Sequence, residues 1–134
     1  MLRKMLRSKI HRATVTGVAL HYEGSLAVDE GLMDAAGILP YEAVYVWNVN
    51  NGQRFQTYAI PAPRGSAEVR LNGAAARLGQ AGDLVIVATF CWLEDEAARK
   101  LQPTVVHVDA ANRIADPASL SNRTPGSGCC RSAG

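Results

Sequence analysis

The pair Gly24-Ser25 is where this sequence could make a reactive group out of its own backbone. A serine hydroxyl can attack the carbonyl carbon of the residue before it when the backbone there is strained. Glycine favours this, because it opens conformations closed to other residues and removes the crowding of a Cβ. The resulting ester can eliminate across the serine Cα–Cβ bond. Hydrolysis of the dehydroalanine then leaves a ketone, a pyruvoyl group, at a new N-terminus. Taken alone, Gly-Ser is a common dipeptide and a plain turn is by far the commoner reading.

Arg54 and Tyr58 form a second pair. Four residues apart, they point to the same side of a regular strand. An arginine fork can hold a carboxylate through two parallel hydrogen bonds, and a phenol can give up a proton. The bland alternatives are a surface arginine after a turn and a packing tyrosine. Thr57 lies between them and should face away, unless a bulge or a subunit boundary brings it to the same pocket. Asn72-Gly73 followed by Ala74, Ala75 and Ala76 offers free backbone N–H groups at a helix start, suited to a carboxylate, although a generic turn would look identical. His11 and His21 are weaker candidates for a general base. Cys91 reads as core, and Glu23 as a residue that shapes the turn before Ser25.

Other chemistries find little footing. The sequence has no GxxxxGK[ST] and no GxSxG, so phosphate-loop and nucleophile-elbow mechanisms are not indicated. The three histidines and three cysteines show no zinc-ligand spacing, and no metal is expected. Three cysteines, two of them (Cys129 and Cys130) in a Gly/Ser-rich tail, make no disulfide framework. A net charge of +2 is too weak to argue for nucleic acid. Arg3, Lys4, Arg7, Lys9 and Arg12 are crowded at the N-terminus, however. They read either as a solvated face or as a cationic rim for an acidic substrate. The acid-free start MLRKMLRSKIHR superficially suggests a transit peptide, but it lacks an apolar h-region and runs straight into a strand-like segment. No stretch approaches the roughly 20 apolar residues of a membrane span, so the expected compartment is the cytoplasm.

The elements that must position these residues are short. A chain of 134 residues, 48% apolar and 19% charged, suits one domain with a modest core. Ile10 to Leu20 reads as a strand, followed by the polar interruption His21 to Ser25. Asp29 is a plausible N-cap for a helix carrying Leu32, Ala35, Ala36 and Leu39 and ended by Pro40. Val44 to Val49 reads as a strand apolar on both faces, and Asn51-Gly52 as a hairpin turn into a strand from Gln53 to Ile60. Pro61, Pro63 and Gly65 mark a loop before a short strand through Val69 and Leu71. A short helix follows from Ala74 to near Gly79. Leu84 to Phe90 is the most apolar strand, Leu93 to Leu101 a short helix, and Thr104 to Val108 a last strand. Disorder is expected beyond Asp116. Many short strands with brief helices between them predict a mainly β fold, a small barrel.

Several stretches occur together in order: Lys9-Ile-His-Arg12, Leu20-His-Tyr-Glu-Gly-Ser25, Asp34-Ala-Ala-Gly-Ile38, Trp47-Asn-Val-Asn-Asn-Gly52, Arg54-Phe-Gln-Thr-Tyr-Ala-Ile60, Arg64-Gly-Ser66 and Asn72-Gly-Ala-Ala-Ala76. The series closely resembles the bacterial, pyruvoyl-dependent aspartate 1-decarboxylase family from Met1 to about Asp109. The resemblance implies a double-psi β-barrel with short helices over residues 1–116, cut into a piece of residues 1–24 and a piece of residues 25–134, with residues 117–134 as a tail. It also implies a homotetramer that turns L-aspartate into β-alanine for pantothenate and coenzyme A. Carried over residue by residue, Ser25 becomes the pyruvoyl group after cleavage behind Gly24. Thr57 assists cleavage and lines the substrate site, and Tyr58 is the proton donor. Arg54 holds a substrate carboxylate, Gly73, Ala74 and Ala75 contact substrate with Asn72 beside them, and Lys9 helps arrange the site. The family's chemistry runs through a Schiff base between the substrate amine and the pyruvoyl ketone, which replaces a separate cofactor. A maturation factor is a further candidate partner. Three rivals remain open: a pyruvoyl enzyme acting on another amino acid, an N-terminal serine hydrolase, and a barrel that binds a partner without cleaving.

Overall fold

Alternation of apolar and polar residues decides which side of each strand is buried, and strands dominate this chain. The computed structural model describes residues 1–120. Its strands are β1 (Leu2–Thr14), β2 (Gly17–Ala19), β3 (Ser25–Asp29), β4 (Ala43–Asn48), β5 (Arg54–Ala62), β6 (Val69–Asn72), β7 (Leu84–Glu94) and β8 (Thr104–His107). Two short helices, α1 (Glu30–Ala36) and α2 (Asp95–Lys100), follow β3 and β7, and a 3₁₀ turn spans Gly73–Leu78. The strands make one eight-stranded sheet in the order β2-β6-β3-β5-β4-β7-β1-β8. The β1–β8, β2–β6 and β3–β5 pairs are parallel. Among the described residues no helix is long and apolar enough to cross a membrane.

The sheet must curl. β2 is at one edge of the order and β1 is next to the other, yet only Val15 and Thr16 separate them. Two residues reach less than about 10 Å, so the C-terminal end of β1 lies close to the start of β2. Backbone bonds Val15 N–H to Asp83 O and Thr16 N–H to Val69 O, both 2.8 Å, fasten this crossing. The side turned inward carries Ile10, Leu26, Val44, Val46, Ala59 and Val87, each at most 1% exposed. Leu32, Met33 and Ala36 of α1 pack with them. The architecture is thus mainly β with short helices, as expected.

Several boundaries differ from the sequence reading. The expected single strand from Ile10 to Leu20 is two strands, and the first starts at Leu2. The break falls at Val15 and Thr16, whose N–H groups turn to Asp83 O and Val69 O; within β1 itself, Arg12 has φ +63° and the β1–β7 register shifts between Ile10 and Ala13. Asp29 does cap α1, its carboxylate accepting from Gly31 N–H at 2.7 Å. The helix stops at Ala36, however, because Gly37 turns left-handed at φ 69°, three residues before Pro40. β4 is not covered on both faces: Val44, Val46 and Asn48 are buried while Tyr45 and Trp47 are half-buried. β5 runs on through Pro61, which was expected in a loop, because its parallel pairing with β3 continues to Ala62. β7 extends to Glu94, so α2 begins later than Leu93. A 3₁₀ turn forms at Pro117–Leu120, where disorder was expected to have begun. The rest of the expected tail, with Cys129 and Cys130, lies outside the described residues.

Candidate active site

β3 begins at Ser25 and is buried along its whole length. It lies between β6 and β5. On one side β6 runs antiparallel, with Ser25 opposite Asn72 and Leu26 opposite Leu71. On the other side β5 runs parallel, with Leu26 opposite Ala59 and Ala27 opposite Ile60. Carried back by one residue, the parallel register sets Tyr58 beside Ser25. Gly73, the residue after Asn72, lies directly against Gly24. The Gly24–Ser25 peptide bond therefore has Gly73 against its Gly24 side and Asn72 opposite Ser25.

Local bonds fix the serine. Ser25 and Asn72 are 2% and 3% exposed. Asn72 Nδ2 donates to Ser25 Oγ at 3.1 Å, and the Ser25 hydroxyl donates to the Glu23 carbonyl at 3.3 Å. Glu23 thus shapes the turn through its backbone. Asn72 is the extended residue ahead of the 3₁₀ turn, but its side chain does not cap that turn. It is turned toward Ser25 instead. Its other end, Oδ1, is buried with no partner among the described residues. A buried acceptor left unpaired costs about 1–3 kcal/mol, a cost that a polar ligand would remove. Of the alanines assigned to substrate, Ala75 is buried and Ala74 exposed.

The backbone demand sits across from the serine turn. Gly24 is not among the residues with positive φ, and a Cβ there would meet nothing within 4 Å. The expectation that Gly24 supplies an unusual conformation is therefore corrected. Gly73 has φ +64°, and a Cβ on it would lie 2.6 Å from Gly24 Cα, 2.7 Å from Gly24 N and 2.8 Å from Tyr22 O. Only glycine fits this contact.

Thr57 is opposite Val44, on the core-facing side of β5, and the β4–β5 register is unbroken from Ala43–Tyr58 to Trp47–Arg54. No bulge turns Thr57 toward the face of Tyr58. Thr57 is two residues before Ala59, the first β5 residue paired with β3. Arg54 is four residues along β5 from Tyr58, roughly 13 Å of strand. Its guanidinium stacks 4.6 Å over the Trp47 ring and has no acidic partner among the described residues. It lines a groove of about 550 Å³ with Lys4, Tyr45, Trp47, Phe55, Gln56 and Phe90. Ser25 and Tyr58 do not line this groove. Lys4, read from the sequence as part of a solvated face or a cationic rim, donates to Tyr45 Oη at 2.7 Å and lies 4.7 Å from that ring's centroid.

Lys9 pairs with Ala88 and Val105 on β1, four places along the sheet order from β3. One chain therefore does not set Lys9 next to Ser25 through the sheet. His11 is on the same strand, its ring 5.7 Å from that of His107. Burial, then the charges of Lys9, His107 and Arg12, lowers its pKa to about 4, so it is neutral near pH 7. His21 is exposed in the turn. Cys91, expected in the core, is half-buried on β7 opposite Met5.

Residues 1–115 match the family model described as aspartate decarboxylase. The chain belongs to the aspartate decarboxylase family. Its relatives cover it almost end to end. Aspartate 1-decarboxylase of Caulobacter vibrioides is 59% identical over 114 residues, 85% of this chain and 97% of the relative. The enzyme of that name from Leptothrix cholodnii is 52% identical over 125 residues, 93% and 95% of the two chains. That from Syntrophotalea carbinolica is 51% identical over 133 residues, 99% of each. Aspartate decarboxylase membership extends past β8 into the bridge of Val108 with Ile114.

Proposed function

We propose that the chain cuts itself between Gly24 and Ser25, carries a pyruvoyl group where Ser25 stood, and converts L-aspartate to β-alanine and CO2. The observation that carries this reading is the buried Ser25 at the start of β3, held by Asn72, with Gly73 packed against Gly24. Ser25 offers the nucleophile and Asn72 an amide with an Oδ1 unpaired among the described residues, while Tyr58 is one residue before Ala59, the partner of Leu26. In the first step Ser25 Oγ adds to the Gly24 carbonyl carbon, the C–N bond breaks, and the hydroxyl proton ends on the freed nitrogen. Thr57 is assigned to assist this transfer. Loss of the Ser25 Cα proton and departure of the Gly24 carboxylate then leave dehydroalanine, from which water displaces ammonia.

The site fits a ketone at this position. Removing Oγ frees Asn72 Nδ2 while Oδ1 is already unpaired, so a buried amide with both ends open faces the incoming substrate. The pyruvoyl group supplies an electron sink for the pair left behind when CO2 departs. Tyr58 delivers the proton that replaces CO2. Asn72 and the backbone of Gly73, Ala74 and Ala75 orient the substrate, and Arg54 grips a carboxylate from its aromatic groove. Arg54 stands apart from Ser25 within one chain, which favours a homotetramer whose site is completed across a subunit boundary. The finer fold assignment, a double-psi β-barrel, goes with the family. So does the supply of β-alanine for pantothenate.

The test is turnover of L-aspartate by purified chain, followed as β-alanine. Wild type should form it. Ser25→Ala should stay one chain and form none. Normal turnover by Ser25→Ala would sink the reading.

A further inference from the structure

The turn from His21 to Gly24 is exposed on its outer side, and Tyr22 is 67% exposed. Little holds this turn from outside. Tyr22 N–H bonds the Ala19 carbonyl at a long 3.3 Å, and the Ser25 hydroxyl reaches the Glu23 carbonyl at the same distance. The inner side rests on Gly73, whose missing Cβ leaves backbone against backbone at Gly24 and Tyr22 O. Gly73 is also the residue of this contact with a left-handed backbone, at φ +64°.

We infer that Gly73 is a positioning residue for self-cleavage: it seats the Tyr22–Gly24 turn so that the Gly24 carbonyl carbon stays within reach of Ser25 Oγ. This rests on the self-cleavage reading and adds to the substrate contact assigned to Gly73 a second, earlier task. A side chain at this position must push the turn outward, because the facing atoms are backbone and cannot swing away. Ser25 Oγ would not follow, since β3 and the Asn72 amide hold it. The reacting atoms would separate, and a misplacement on the order of 1 Å costs about 100-fold in rate.

The experiment follows conversion of freshly made full-length chain to its two pieces by denaturing electrophoresis and intact mass, with melting temperature measured alongside. Gly73→Ala should fold and retain precursor, its cleavage slowed about 100-fold. Gly73→Asn should do the same; asparagine tolerates positive φ, so it tests the Cβ contact apart from backbone strain, and it carries the test if Gly73→Ala does not fold. Gly79→Ala and Gly52→Ala are controls. The first crowds Leu71 Cδ1 at 2.8 Å, away from the turn, and the second has φ +77° with open space around it. Both should lose some thermal stability and cleave at the wild-type rate. Folded Gly73 variants that cleave as fast as wild type would overturn the assignment, as would controls of equal stability loss that stall equally. A wild-type chain that never cleaves would instead strike at the self-cleavage reading itself.

Discussion

Arg54 and Tyr58 occupy one strand face but have different surroundings, so their variants should fail differently. Arg54 presents a planar fork stacked on Trp47, and lysine offers neither the fork nor the stacking. Arg54→Lys should therefore raise KM for aspartate and lower kcat/KM roughly tenfold or more, with chain cleavage intact. Tyr58→Phe keeps the ring that stands 6.3 Å from Tyr41 and loses only the acidic proton. It should depress kcat about 100- to 10,000-fold with KM nearly unchanged. Steady-state kinetics on fully cleaved protein checks both. At this scale the sequence offers candidates wherever a residue type carries the chemistry, as with Ser25, Arg54 and Tyr58. It was silent on contacts made by absent atoms. Nothing in the dipeptide Gly24-Ser25 says that the demanding glycine is Gly73, because the clash it avoids is with a turn about fifty residues earlier. Alternation likewise gave no account of how Thr57 could reach the site, and the unbroken β4–β5 register keeps it opposite the buried Val44.

Elements fix register, and register decides which residues meet. The Asn51-Gly52 signal correctly marked a hairpin. A two-residue loop there would have set Trp47 against Gln56. The loop is longer: Asn48 Oδ1 accepts from Asn50 N–H at 2.9 Å and Asn51 N–H at 3.2 Å, and Asn48 N–H bonds Gln53 O at 2.8 Å. Trp47 consequently stands opposite Arg54, and the stacking follows from that shift. Asp29 anchors the element after Ser25. Its carboxylate accepts from Gly31, Gly65 and Ala67 N–H groups at 2.7, 3.1 and 2.8 Å. Burial pushes its pKa up, but these bonds and Arg113 outweigh burial and hold it below the usual range. Asp29→Ala should cost about 1–3 kcal/mol in urea unfolding, while Asp29→Asn, which keeps an acceptor for the cap, should cost less. β1 makes a further prediction. It pairs with β7 from Leu2–Glu94 to Thr14–Leu84 and with β8 from Ser8–Thr104 to His11–His107. Asn112 clamps its end by accepting from Thr14 N–H at 2.7 Å and donating to Thr14 O at 2.8 Å. The piece of residues 1–24 should therefore co-elute with the larger piece on a native column and part from it only under denaturant. Early loss of the small piece would contradict this.

At the scale of the molecule, the mainly β character was legible from many short strands, whereas the sheet order was not. It depends on non-local pairing such as β1 with β7 and on a two-residue crossing that bends the sheet around its core. One chain leaves Arg54 and Lys4 facing a groove away from Ser25, with Trp92 62% and Tyr41 77% exposed. Assembly would cover such surface and complete the site, so sedimentation should give a tetramer, and dilution to monomer should abolish turnover. A fully active monomer would refute the shared site. The most direct test of the central claim is the intact mass of purified wild-type chain under denaturing conditions. Self-cleavage with conversion of Ser25 predicts two masses: residues 1–24 ending in a free Gly24 carboxylate, and residues 25–134 lighter by one ammonia than the same piece with an N-terminal serine. A single uncut mass, or a larger piece that keeps its serine, would contradict it.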